Sequence, residues 1–424
     1  MRRLIPLVTA ALLCLGLTGI AAPAQAGAPT PVALAAPARA AVLTAGQSLG
    51  LRVRALLATA SATTVSAAVD VDGFGSVLRQ DSTHALPPAS TQKSFTSVAA
   101  LIALPAGMRY STQVAATATA TIGILPGSLW LVGGGDPYLS RAGLRALAHS
   151  VLLAGITDVG GDVLLDDTRY DARRRAAGWK YSYVPDESGP LSALAVDGNH
   201  YRTDGAFVAD PALPNAVLFR SYLTAEGITV HGLTRRDVRP PEAYPVATRF
   251  SKPLAEVLSR VLKDSDNFGA EMVLKEVGRA VMGEGSSAAG HAAVMQVLAG
   301  QGVGAGFGTD GSGLSAYDRQ TTAAQIALLH AADQNVAAGV PFRAALPVAC
   351  QDGTLKRRMC GTYAAGRLAA KTGSLPGIRA LSGYTTTMSG RTVWFSFQLT
   401  GVRDALAARR AIDRAAVLLS SATL

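Results

Sequence analysis

The strand-like sequence of this chain lies towards its two ends, and helical sequence separates them. Residues 65–71 are small and β-branched, Asp72-Gly73 is a turn signal, and Val77-Leu78 resumes the extended pattern; together they read as a hairpin. Far downstream, residues 379–385 and 392–399 alternate like paired strands across a Ser389-Gly390 turn. Helical patterning occupies residues 253–263, 268–282 and 288–299, and a last helix is expected at about 403–419. Early and late strands with helices between them suggest one sheet completed by both. The expected class is therefore α+β, with an antiparallel sheet between helical layers.

A different texture fills residues 106–245. Short β-like runs at 119–124, 129–132, 163–165 and 216–219 alternate with Gly and Pro, around a helix-like piece at 141–154. This block reads as an inserted, β-rich accessory domain or domains. Residues 43–105 and 246–424 then form the main domain.

The first residues have the pattern of an export signal. Arg2 and Arg3 precede an apolar run from Leu4 to Ala22, and Ala24-Gln25-Ala26 is an A-x-A cleavage site. A membrane anchor is the alternative reading, since the run is long enough to span. Cleavage after residue 26 leaves no stable transmembrane anchor, and residues 27–42, rich in Ala and Pro, form a flexible lead-in. A secreted, extracytoplasmic protein of the cell envelope is expected. The net charge of +10 falls to about +8 without the two arginines, which suits an anionic envelope. No dense basic run with interleaved aromatics points to nucleic acid. In an oxidising compartment Cys350 and Cys360 can close a short loop; two free thiols are the alternative. Two cysteines and six scattered histidines, with no H-x-x-x-H, build no zinc site, so no metal or other cofactor is expected.

Three polar motifs carry the chemistry. Ser90-Thr91-Gln92-Lys93 is the only S-x-x-K in the chain, and the two prolines before it place Ser90 at or near a helix N-terminus. Residues three apart on a helix are neighbours, so the Lys93 amine can reach the Ser90 hydroxyl as its base. Ser265-Asp266-Asn267 breaks two helices, where a hydroxyl can relay a proton and an amide can grip a peptide carbonyl. Lys371-Thr372-Gly373-Ser374 sits at the start of strand-like sequence; a cation and a hydroxyl there can hold a carboxylate, and Gly373 permits close backbone approach. Each motif alone has a bland reading as a surface pair, a helix cap or a strand entry. The ordered set is the active-site signature of serine penicillin-recognising enzymes.

The chain resembles the low-molecular-mass, class C type-4 penicillin-binding proteins, the D-alanyl-D-alanine carboxypeptidase/endopeptidase family. The resemblance extends through Gly133-Gly134-Gly135-Asp136-Pro137, Leu191-Ser192-Ala193-Leu194, Asp310-Gly311-Ser312-Gly313-Leu314-Ser315 and Asp352-Gly353-Thr354-Leu355. Ser90 and Ser265 lie 175 positions apart, and the long gap suits the family's inserted domains. The resemblance implies a penicillin-binding/β-lactamase-like transpeptidase core. It also implies a serine D-Ala-D-Ala carboxypeptidase, with the balance between carboxypeptidase and DD-endopeptidase cleavage left open, acting on peptidoglycan stem peptides and acylated by β-lactam antibiotics. Ser90, Lys93, Ser265, Asn267 and Lys371 are then catalytic, and Thr372, Gly373 and Ser374 bind substrate. The backbone N–H groups of Ser90 and Ser374 form the oxyanion hole. Two departures bear on specificity. Tyr181-Ser182-Tyr183 stands where the family often has an acid, and Ala316-Tyr317 where it often has an arginine. Glu271 reads as a partner of its own helix end, and Asp266 and Asp310 as turn and cap residues. A β-lactamase or esterase on the same core is the rival enzyme, and a non-catalytic cell-wall-binding protein the rival of another class.

Overall fold

The computed structural model describes residues 44–200, 202–203, 206–207, 210–304 and 306–424. The expected signal at 1–26 and lead-in at 27–42 lie outside the described residues. Five antiparallel strands form the main sheet, in the order Ala369–Leu375, Ile378–Thr386, Thr392–Thr400, Thr64–Val71, Gly75–Gln80. The early and late strands meet as expected: Thr64 pairs with Thr400 and Val71 with Val393.

Alternation decides what each face of the sheet covers. Val393, Phe395, Phe397 and Leu399 point to one side, into a core closed by the helices Ala45–Ala58 and Ala405–Ser420. Trp394, Ser396 and Gln398 point to the other, towards the helices Gln92–Ala103, Leu254–Lys263, Asn267–Met282, Ser287–Ala299 and Thr322–Gln334. That second layer is cemented by Phe95, Val98, Leu258, Val273 and Leu328, all buried. The helices Ala45–Ala58 and Thr322–Gln334 have no counterpart in the sequence expectation. Thr322–Gln334 is buried on most of its positions, and so shows no polar-to-apolar alternation to read.

Between residues 106 and 250 a second five-stranded sheet runs Thr234–Arg236, Val163–Asp166, Leu129–Val132, Ser111–Ala116, Tyr244–Phe250. Its first three strands are parallel and the other pairings antiparallel. A small parallel sheet of Thr229–Val230, Asp158–Val159 and Ile124–Leu125 lies apart from it. The expected strand at 216–219 is wrong: these residues lie inside the helix Ala212–Ala225. A four-residue apolar run fits either state, and Pro211 and Pro214 around the first turn favour a helix start. With that helix and Arg141–Leu153 packed on the sheet, the block is mixed α/β rather than β-rich. Cys350 and Cys360 are bridged, with their Cα atoms 4.9 Å apart. Among the described residues no cluster of three or more His, Cys, Asp or Glu could hold a metal, and no helix is long and apolar enough to cross a membrane.

Candidate active site

Ser90 is presented by a tight turn. Pro88 and the 3-10 turn Ala89–Thr91 lead into the helix Gln92–Ala103, and Thr91 Oγ1 donates back to the Pro88 carbonyl at 2.7 Å. Ala89 is held at φ +48°, a left-handed conformation that costs on the order of 1–3 kcal/mol for a residue with a Cβ and recurs at functional sites. One helical step later, the fully buried Lys93 points its amine at three acceptors. These are Ser90 Oγ at 3.1 Å, Asn267 Oδ1 at 2.6 Å and the Ser312 carbonyl at 2.7 Å. Burial pushes its pKa down to about 8, against the opposing pull of the Asp310, Asp266, Glu271 and Glu187 carboxylates.

The other two motifs close on the same place. Ser265 is also left-handed, at φ +60°, in the break before the helix Asn267–Met282. Lys371, on the strand Ala369–Leu375, donates to Ser265 Oγ at 2.9 Å and to its own Thr372 carbonyl at 3.0 Å. It is wholly buried, and burial, with Lys93 nearby, holds its pKa well below the ordinary lysine value. Lys371, expected to hold a substrate carboxylate, has its amine on Ser265 Oγ. Likewise Asn267, expected to grip a substrate carbonyl, donates its Nδ2 to the Glu187 carbonyl at 2.9 Å while its Oδ1 holds Lys93. Gly373 meets its expectation of close approach, since a Cβ there would lie 2.9 Å from the Pro88 carbonyl.

Behind these groups the segment 310–315 acts as a rigid floor. Asp310, fully buried, accepts from Trp179 Nε1 at 2.7 Å, Ser312 Oγ at 2.9 Å, and the Gly313 and Ser315 amides at 2.7 and 2.9 Å. Glu271 does not serve its own helix end. Its Oε1 accepts from the Gly311 and Ser312 amides at 2.7 and 2.9 Å, and so fixes the peptide whose next carbonyl holds Lys93. Burial pushes Glu271 up to about 8 and Asp318, beside Asp310, up to about 10. Asp266 does cap the Asn267–Met282 helix by position, but its carboxylate accepts from the Tyr138 hydroxyl at 2.8 Å.

Ser90 opens into a cleft of about 290 Å³ whose walls also include Ser265, Thr354, Thr372 and Ser374. Thr372 Oγ1 donates to Thr354 Oγ1 at 2.9 Å. A larger cavity of about 530 Å³ shares Ser265 and runs past Asn267, Asp186 and Glu187. Acids are thus present beside the site, a few positions after the stretch where Tyr181-Ser182-Tyr183 replaces the family's acid. Sequence reasoning missed what Thr354, Arg358 and Arg409 contribute to the smaller cleft. The Asp352-Gly353-Thr354-Leu355 run was the available signal for Thr354.

A strained serine turn, an amine at its hydroxyl and a second serine-lysine pair across one cleft, all on an antiparallel sheet backed by helices, define a serine acyl-transfer enzyme of the penicillin-recognising class. The D-Ala-D-Ala carboxypeptidase 3 (S13) family model matches residues 55–206 and 202–422. A D-alanyl-D-alanine carboxypeptidase of Actinomadura sp. (strain R39) is 31% identical over 427 residues, covering 78% of this chain and 78% of the relative. Carboxypeptidase DacB of Mycolicibacterium smegmatis is 29% identical over 373 residues, covering 83% and 79%. The solved structure of penicillin binding protein 4 (dacB) from Haemophilus influenzae superposes with a TM-score of 0.77 at 22% identity, covering 85% of this chain and 98% of that one. The chain belongs to the D-Ala-D-Ala carboxypeptidase 3 (S13) family and is a serine-type D-Ala-D-Ala carboxypeptidase.

Proposed function

We propose that Ser90 is the nucleophile and that the substrate is the D-Ala-D-Ala terminus of a peptidoglycan stem peptide, met outside the cytoplasm. The observation that carries the assignment is the Lys93 amine 3.1 Å from Ser90 Oγ, buried and with its pKa depressed to about 8. A neutral fraction of about a tenth at pH 7 suffices for a base matched to its working pH. Lys93 takes the hydroxyl proton as Ser90 Oγ bonds to the carbonyl carbon of the penultimate D-Ala. The negative oxygen that develops is received by the backbone N–H groups of Ser90 and Ser374, whose loss singly costs about a hundredfold or more in rate. The carbon–nitrogen bond then breaks. Ser265 delivers a proton to the departing amine and recovers one from Lys371, whose depressed pKa makes it a ready donor; the proton that Lys93 took from Ser90 then passes on to Lys371, which leaves Lys93 neutral again. Water attacks the resulting ester with Lys93 again as base, and Ser90 is regenerated.

A β-lactam offers the same carbonyl in a ring whose amine cannot leave, so it should remain as an ester on Ser90. Mass spectrometry of penicillin-treated protein tests this. A stable adduct located on Ser90, and none on Ser90→Ala, is the expected result. Equal labelling of the mutant removes Ser90 as nucleophile, and rapid hydrolysis of the drug without an adduct points to a β-lactamase instead.

A further inference from the structure

The run Gly133-Gly134-Gly135 lies outside the Ser90 cleft and directly follows the strand Leu129–Val132. The parallel strands Val163–Asp166 and Thr234–Arg236 end on the same side of the sheet. Open α/β sheets keep their ligand crevices at the carboxyl ends of such strands. A cavity of about 350 Å³ opens there, lined among others by Gly133, Gly134, Asp166, Arg169, Arg239 and Arg279. That volume falls within the roughly 300–1,000 Å³ of small-molecule sites.

The cavity holds unspent donors. Arg169 is committed, since its Nε and Nη2 donate to Glu276 at 3.0 and 2.6 Å, and the Tyr170 hydroxyl donates to the same carboxylate at 2.9 Å. Arg239 gives one bond, to Gln113 Oε1 at 3.0 Å, and the exposed Arg279 comes only within 3.8 Å of Glu276. Asp166, the other carboxylate, accepts from the Thr168 amide and hydroxyl at 2.9 and 2.6 Å and from the Arg239 amide at 3.0 Å. Three guanidiniums thus stand against two carboxylates, and the wall keeps a net positive charge. The buried Gly134 amide donates to no group among the described residues, which is rare for an N–H away from water.

We propose that this cavity binds a phosphate ester, as carried by an anionic polymer of the cell envelope, through Arg239, Arg279 and the Gly134 amide. These donors come from a loop after one strand, from a helix and from the turn after another strand. A tetrahedral phosphate presents oxygens to all three, whereas a planar carboxylate is satisfied by a single guanidinium fork. Arg279 stands on the helix Asn267–Met282, about 18 Å along its axis from Asn267. A polymer held there leaves the Ser90 cleft open, so the site serves attachment and not the reaction.

Calorimetric titration of the whole protein with a short poly(glycerol phosphate) tests this, with inorganic phosphate and poly-L-glutamate titrated alongside. The phosphate polymer is expected to bind with a dissociation constant below about 1 mM. Arg239→Gln combined with Arg279→Gln should weaken it about tenfold or more, as for the loss of charge-assisted contacts, while D-alanine release from acetyl-Lys-D-Ala-D-Ala stays at the wild-type rate. Arg279→Gln alone, at an exposed helix position where folding is not at stake, should weaken binding about threefold or more. Failure of the wild type to bind, or equal binding by both variants, overturns the site. Equal affinity for poly-L-glutamate overturns its selectivity for phosphate, and equal affinity for inorganic phosphate overturns the polymer as its occupant.

Discussion

In the proposed mechanism Lys93 loses its proton before Ser90 attacks, and burial lowers its pKa to about 8. Acylation by penicillin should therefore rise with pH from 6, pass half-maximum near 8 and level off above it. A stopped-flow profile that is flat over this range, or that falls, contradicts Lys93 as base. Lys93→Met should abolish acylation while leaving the circular dichroism spectrum unchanged. This part of the site was legible because an i, i+3 pair on a helix is local. Ser265 and Lys371 could be recognised as members of an ordered set, but not how they pair. Which amine faces which hydroxyl is decided by burial. Arg358 and Arg409 reach the cleft through tertiary packing alone, and no spacing in the sequence joins them.

At the scale of elements, the floor segment and the bridged loop hold the reacting groups in register. Gly313 sits at φ +85°, and a Cβ there would lie 1.9 Å from the Ala89 carbonyl. Gly313→Ala should push back the turn that carries Ser90. We expect a loss of roughly 1–3 kcal/mol of stability, typical of overpacking, and penicillin acylation slowed at least tenfold at a temperature where the fold persists. Normal labelling kinetics show that the turn absorbs the insertion. Replacing both cysteines of the bridge with serine reopens a loop of 10 residues' separation. That should lower stability by about 2–3 kcal/mol in urea melts, and raise KM more than it lowers kcat. The long, periodic helices at 253–263 and 268–282 were readable because each has caps or breakers at its ends. Ala212–Ala225 was not, since its apolar run 216–219 suits a strand equally well.

For the molecule as a whole, the buried carboxyl groups link stability to pH. Glu271 has its folded pKa raised to about 8 from an ordinary 4.5, so the folded protein binds a proton that the unfolded chain releases. The stability it contributes is full below about pH 4.5 and is lost as pH rises through 8. Glu271→Gln keeps an acceptor for the Gly311 and Ser312 amides and cannot ionise. Its melting temperature relative to wild type should accordingly climb between pH 5 and pH 8. A difference that is constant across this range removes Glu271 as a titrating group. The overall architecture followed from strand-like sequence near both ends, whereas the mixed sheet at 111–250 did not, because its three- to seven-residue strands carry too little pattern. The pairing of Thr64–Val71 with Thr392–Thr400 has a kinetic corollary. A nascent chain emerging from the ribosome has no partner for that edge of its first strand until almost four hundred residues have been made. Closure of the main sheet is thereby deferred until its late strands have been synthesised.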